Sequence, residues 1–193
     1  MSLPRAPSAV MLDRDGTIVV DRDYLDDPEQ LQFLPGAAEA LRLMHERGLR
    51  LVILTNQSGV GRGRFSLERL QEIHERLRRM VQQAGAQIDG LYFCPHRPEE
   101  GCACRKPNTL MVTQAASALG FDPAHSIVIG DKASDIELGR RVGALTILIA
   151  ADGRARGNGL QPDYIVRDLL EAAQLIGGSP RPAPAPTRPP QAT

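Results

Sequence analysis

The chain has 193 residues, 42% of them apolar, and Lys plus Arg balance Asp plus Glu at 23 each. This length suits one α/β domain with a sizeable core, and zero formal net charge argues against a general nucleic-acid or anionic-membrane binder, which carries a basic excess. No apolar run approaches the roughly 20 residues of a membrane span, and residues 1–9 lack the pattern of a secretion signal, so a cytoplasmic protein is expected.

Val10, Met11 and Leu12 form a short apolar run that ends at Asp13, a first strand. Residues 36–47 read as a helix with Ala37, Ala40, Leu41 and Met44 on one face and Gly48 as its stop. Residues 51–54 are a buried strand by composition. Ser66 can cap a helix whose stripe is Leu67, Leu70, Ile73, Leu77, Met80 and Val81. A strand over 88–93 and a helix over 109–119, stopped by Gly120, follow. Next come a strand at 127–129, a helix over 135–142 and a strand at 145–149. A short edge strand at 164–166 and a helix over 168–176 complete the pattern.

Alternating strands and helices with near-continuous apolar strands predict a parallel sheet covered on both faces. The folded domain is expected to span residues 1–176, and the Pro/Ala-rich residues 177–193 to be a disordered tail. No internal repeat is evident. In such sheets, sites form beyond the carboxyl ends of the strands. The polar clusters fall there: Asp13-Arg14-Asp15, Thr55-Asn56 and Asp131-Lys132.

Taken alone, Asp13-x-Asp15 is equally well a turn that caps the next segment. Its setting favours chemistry. Gly16 lets the backbone curl, Thr55 can hydrogen-bond a phosphate and Lys106 can neutralise its charge. Asp131 and Asp135 add carboxylates after a third strand, the oxygen donors that Mg²⁺ requires. The segments 13–17, 55–56, 106 and 130–135 resemble, in order, the four motifs of the haloacid dehalogenase superfamily. That resemblance covers residues 9–150 and implies a Rossmann-like domain. It also implies roles: Asp13 as nucleophile and Asp15 as general acid and base. Mg²⁺ would be held by Asp13, the Asp15 backbone carbonyl and Asp131, while Thr55 and Lys106 would stabilise the phosphoryl group. Asp135 reads as a helix cap and support rather than a direct ligand.

All three cysteines lie in one short loop. Cys94-Pro95-His96, five residues, then Cys102-Ala103-Cys104 offer three thiolates and one imidazole, a closed tetrahedral zinc set with no open catalytic position. The loop, residues 94–104, runs directly into Arg105-Lys106-Pro107, so zinc would hold Lys106 in place.

With this loop, residues 21–24 and 55–63 make the chain similar to the D-glycero-D-manno-heptose 1,7-bisphosphate phosphatases and the related histidinol-phosphate phosphatases. The resemblance implies that Asp21, Arg22, Asp23, Tyr24, Thr55, Asn56, Gln57, Ser58, Arg105, Lys106 and Lys132 touch substrate. The zinc loop is shorter than in some heptose enzymes, and short loops also occur in the histidinol group. Neither interval between motifs has room for a separate cap domain, so the loops must supply specificity. Arg105 suits the far phosphate of a sugar bisphosphate and is a poor neighbour for the cationic end of histidinol phosphate.

The expected function is therefore a phosphatase of the heptose C7 phosphate in lipopolysaccharide-core precursor synthesis, acting as a monomer. Two other classes weigh less. A zinc-knuckle nucleic-acid module calls for stacking aromatics and a basic face, yet the chain has no Trp and no net charge. A silent sugar-phosphate sensor is expected to lack Asp13 or Asp15, and both are present. His45, His74 and His125 carry no evident role.

Overall fold

The protein is described from a computed structural model, over residues 7–153 and 161–178. The chain runs β1 (Ala9–Leu12), α1 (Ala37–Glu46), β2 (Arg50–Asn56), α2 (Ser58–Gly61), α3 (Leu67–Gln83), β3 (Gly90–Cys94) and α4 (Leu110–Leu119). Then follow β4 (Ile127–Gly130), α5 (Ala133–Arg141), β5 (Leu145–Ile149), β6 (Tyr164–Val166) and α6 (Leu169–Ile176). Short 3₁₀ turns at Pro28–Gln30, Pro98–Glu100 and Pro123–His125, each opened by a proline, and the one-turn α2 are the elements that periodicity does not announce.

All six strands are parallel, in the order β3-β2-β1-β4-β5-β6. Successive β1 side chains alternate between two layers of core. Val10 and Leu12 pack with α1, α3 and α6 on one face, through Leu41, Met44, Ile73, Leu77 and Ala172. Ala9 and Met11 pack with α4 and α5 on the other, through Met111, Val112, Ala115 and Leu138. Each fully buried Val, Leu or Ile here contributes about 1.5–3 kcal/mol, which fixes the register of a sheet apolar on both sides.

The caps behave as their residue types require. Ser66 accepts from Arg69 N at 3.2 Å and Asp168 from Glu171 N at 2.8 Å, each satisfying an amide without an intrahelical partner. Gly120 closes α4 in the left-handed conformation. Strands β2 and β3 are laid to one side of β1 and β4 to β6 to the other, and that switch in strand order opens a crevice at the strands' carboxyl ends. The first fourteen residues of the expected tail (counting back from residue 193) and residue 179 lie outside the described residues. Among the described residues, no helix is long and apolar enough to cross a membrane.

Candidate active site

Asp13 leaves β1 with its amide bonded to Ile129 O at 2.9 Å, which extends the β1–β4 ladder to the crevice itself. Its Oδ1 lies 2.6 Å from Lys106 Nζ. The same ammonium reaches Asp135 Oδ1 at 2.7 Å and Leu54 O at 2.7 Å, so all three of its protons have acceptors. Lys106, Asp13 and Asp135 are all buried. Burial works against charge on Lys106, but the two carboxylates outweigh it and raise its pKa. Asp135 also caps α5, its Oδ2 accepting from Lys132 N at 3.1 Å.

Carboxylate oxygens of Asp13, Asp131 and Asp135 lie within 4.8 Å of one another. Burial pushes Asp131 up to about 7; Lys132 pulls it down, and Asp13 and Asp135 push it further up. Three acids held this close repel one another, and a divalent cation relieves that repulsion. Two glycines make the approach possible. A Cβ on Gly16 (φ +83°) would stand 2.4 Å from Asp131 Oδ2, and one on Gly130 would stand 2.3 Å from Asp135.

Asp15 is turned away from this trio. Arg14 Nε lies 3.1 Å from both of its carboxylate oxygens, and Arg14 Nη2 is 3.0 Å from Oδ2. The Gln57 amide donates to Asp15 Oδ2 at 2.8 Å and to Thr55 Oγ1 at 2.7 Å. Because Thr55 Oγ1 accepts from Gln57, its own proton is free to point elsewhere. Two neighbouring carboxylates, held apart by different partners, are able to take different chemical roles.

The residues expected to touch substrate separate into two sets. Asn56 spends both amide atoms on the backbone of Lys106, accepting from its amide at 3.0 Å and donating to its carbonyl at 3.2 Å. Gln57 is buried on Asp15 and Thr55. These two therefore position Lys106, Asp15 and Thr55. Asp21, Arg22, Asp23 and Tyr24 form an exposed loop over the site's edge, tied by Asp21 to Lys132 at 3.0 Å. Tyr24 takes φ +58°, packs over Gly59 and carries the Arg64 guanidinium 5.5 Å above its ring. Ser58 starts α2. Arg105 donates to His96 O at 3.3 Å, which ties it to the cysteine loop.

That loop brings its four expected ligands together. Cys94, Cys102 and Cys104 sulfurs lie 3.1–3.5 Å apart, and His96 Nδ1 lies 3.2 Å from Cys104 and 3.7 Å from Cys94. These spacings exceed a disulfide bond of about 2.05 Å. They fall slightly inside the roughly 3.8 Å edge of a tetrahedron with Zn–S bonds of about 2.3 Å. The donor set thus fits zinc after a small expansion. Burial pushes the Cys94 thiol up, while neighbouring sulfurs and the Arg105 and Cys104 amides bring Cys102 down to about 7 against its own desolvation.

Sequence reasoning passed over Arg14 as a clamp, Gln57 as a brace and His74 as a buried group. Arg14 is 1% exposed, and its signal was there, since a charged residue at the end of a fully apolar strand has to be paired. His74 lies at the Leu70, Ile73, Leu77 and Val81 spacing, on the apolar face of α3.

A doubly covered parallel sheet with this aspartate-rich crevice is the fold and site of a haloacid dehalogenase-type hydrolase, and the HAD-hydrolase-like family model matches residues 103–172. Relatives extend over most of the chain. The D-glycero-beta-D-manno-heptose-1,7-bisphosphate 7-phosphatase of Pasteurella multocida is 34% identical over 88% of this chain and 97% of its own. The D-glycero-D-manno-heptose-1,7-bisphosphate 7-phosphatase of Thermosynechococcus vestitus is 38% identical over 87% of this chain and 94% of its own. The crystal structure of D,D-heptose 1,7-bisphosphate phosphatase from B. bronchiseptica, complexed with magnesium and phosphate, superposes with a TM-score of 0.81. It is 30% identical and covers 88% of this chain and 98% of its own. The chain belongs to the D-glycero-D-manno-heptose-1,7-bisphosphate 7-phosphatase family.

Proposed function

We propose that the chain hydrolyses the C7 phosphate of D-glycero-D-manno-heptose 1,7-bisphosphate, in the making of activated heptose for lipopolysaccharide. The observation that carries the chemistry is the buried Lys106 ammonium, 2.6 Å from Asp13 and 2.7 Å from Asp135, with Asp131 alongside. An ammonium so placed orients the Asp13 carboxylate and meets the charge of an arriving phosphoryl group. The substrate class rests on the names of the relatives that match across most of this chain.

Asp13 attacks phosphorus, a P–O bond forms to its carboxylate, and the bond to the sugar oxygen breaks. Asp15 gives its proton to that leaving oxygen. It then takes a proton from the water that attacks the aspartyl phosphate, releasing inorganic phosphate and restoring Asp13. Thr55 donates its hydroxyl proton, and Lys106 its charge, to the transferring group. Asp13 and Asp131 would hold Mg²⁺ together with the Asp15 carbonyl. Asp135 stands behind them, and the bound ion would supply positive charge against the phosphoryl oxygens. Cys94, His96, Cys102 and Cys104 would hold a structural zinc.

Arg105, Lys132 and the 21–24 loop are the groups for the far end of the sugar. The exposed large apolar side chains among the described residues, Tyr24, Leu67, Leu110 and Ile165, lie on separate elements, which favours a monomer. The test is turnover of heptose 1,7-bisphosphate beside histidinol phosphate, with magnesium, for the wild type and Arg105→Ala. The bisphosphate should be preferred. Arg105→Ala should raise its KM by about 10- to 150-fold, the equivalent of a lost charge-assisted bond of about 1.5–3 kcal/mol. Preference for histidinol phosphate refutes the substrate. An equal loss on both substrates returns Arg105 to its bond with His96 O, as a brace of the loop.

A further inference from the structure

Among the described residues three buried side-chain nitrogens, on Arg14, His74 and Arg76, have no partner, and the atoms on Arg14 and His74 belong together. Arg14 uses Nε and Nη2 on Asp15, while its Nη1 is buried without an acceptor. His74 is 5% exposed, and its Nε2 is likewise buried without a partner. A buried guanidinium nitrogen left unbonded costs more than an ordinary unmade bond.

The two atoms belong to one side of the sheet. Val10 and Leu12 face the layer that holds α3, and the Asp13 amide continues the β1 ladder, so alternation carries Arg14 to that same face. His74 stands on α3 between Ile73 and Leu77, which line this layer. Its ring packs on Phe93, 5.4 Å between centroids, and Phe93 pairs in register with Thr55, whose hydroxyl shares the Gln57 amide with Asp15. Burial, then the positive charges of Arg14 and Arg78, bring His74 down to about 3, so it is a neutral imidazole. A neutral imidazole has one nitrogen that can only accept. An acceptor is what Arg14 Nη1 lacks.

We propose that His74 is a positioning residue for the general acid: one buried water accepts from Arg14 Nη1 and donates to His74 Nε2, locking Arg14 in the geometry that clamps Asp15. A water of this kind joins two buried groups that stand too far apart to bond directly. Without the acceptor, Arg14 turns to satisfy Nη1, and Asp15 loses one of its two fixings.

The inference rests on Asp15 being the general acid, and leaving-group dependence separates the two ideas. A sugar phosphate needs its leaving oxygen protonated, whereas p-nitrophenyl phosphate expels a stable anion without that help. kcat/KM is measured for both substrates in the wild type, His74→Phe, His74→Gln and Asp15→Asn proteins. His74→Phe should lose about tenfold on the sugar phosphate, less than the roughly hundredfold a 1 Å misplacement can cause, and little on p-nitrophenyl phosphate. His74→Gln, whose amide oxygen reaches the Nε2 position, should restore the sugar-phosphate rate. Should His74→Phe fail to fold, His74→Asn, whose amide reaches only the Nδ1 position, takes its place. An equal loss on both substrates, or no loss, overturns the role of His74. An Asp15→Asn protein with no leaving-group split overturns the general-acid reading instead.

Discussion

Asp135→Ala tests whether the Lys106 ammonium is held as the structure indicates. The carboxylate makes two bonds, to Lys106 Nζ at 2.7 Å and from Lys132 N at 3.1 Å, and is 1% exposed. The two partners register their pairing in opposite ways. Lys106 has a raised pKa despite burial, which favours its charged form. Asp135 is raised by burial, with Lys106 opposing and Asp13 adding to the rise, which disfavours its charged form. The pair as a pair is therefore near break-even, whereas removing one member leaves a buried charge short of a partner, a loss of about 3–5 kcal/mol. Lys106 keeps Asp13 and Leu54 O, which sets the lower end, about 3 kcal/mol. Losing the cap on Lys132 N adds about 1 kcal/mol. At about 2–4 °C per kcal/mol for a domain of this size, the melting temperature should fall by about 8–16 °C. Asp135→Asn keeps the shape and one neutral acceptor, so about half that fall is expected. Thermal denaturation followed by circular dichroism at pH 7, without added magnesium, measures both. A fall under about 3 °C for the alanine protein would mean that Lys106 does not depend on Asp135, and the bridged geometry would be refuted.

In metal-free protein, Asp131→Asn should stabilise the fold progressively as pH rises from about 4 to about 7. The wild-type carboxyl holds its proton more tightly folded, at about 7 against an ordinary 3.8, so its contribution declines across that window and an amide's does not. Urea titrations at several pH values measure the difference, and a difference that shrinks with rising pH would contradict the assignment. Asp13→Asn should abolish turnover in a folded protein, checked by phosphate release beside a circular dichroism spectrum. Asp15→Asn should slow sugar-phosphate hydrolysis by about 10²- to 10⁴-fold. Protein prepared without added zinc should contain about one equivalent by elemental analysis. Stripping it with a chelator should lower both melting temperature and activity, and full activity without zinc would reduce the cluster to a plain loop.

The strands were legible because a sheet buried on both faces demands unbroken apolar runs. Residues 145–149 and 164–166 fall where composition places them. The helix ends were legible through Ser66 and Gly120, whose chemistry is local. Short 3₁₀ turns escaped because three residues show no period. The cysteine loop was legible because three cysteines and a histidine in so short a span have few other uses. Arg14, Gln57 and Asn56 were not legible as braces. Their roles depend on partners 42 or more positions away in two of the three cases, or on which way a side chain turns at a strand end. A motif identifies which residues lie at the crevice, but only packing decides which of them face solvent and which hold another in place.

The cysteine loop is a case of one segment holding another in place. Lys106 has to hold its ammonium at the bottom of the crevice, yet it follows a loop whose residues 97–101 and 103 are exposed and contribute no core. Three ties compensate. Arg105 bonds His96 O, Asn108 Nδ2 donates to Cys102 O at 2.8 Å, and Asn56 grips the Lys106 backbone from β2 with two bonds. The first two ties end on residues of the Cys94, His96, Cys102 and Cys104 cluster, so their strength depends on that cluster being fixed. An apolar anchor at that position would need a hydrophobic wall, and the wall would close the mouth through which a phosphate must enter. Three thiolates and an imidazole around one ion would fix the same backbone in a small polar volume and leave the mouth open.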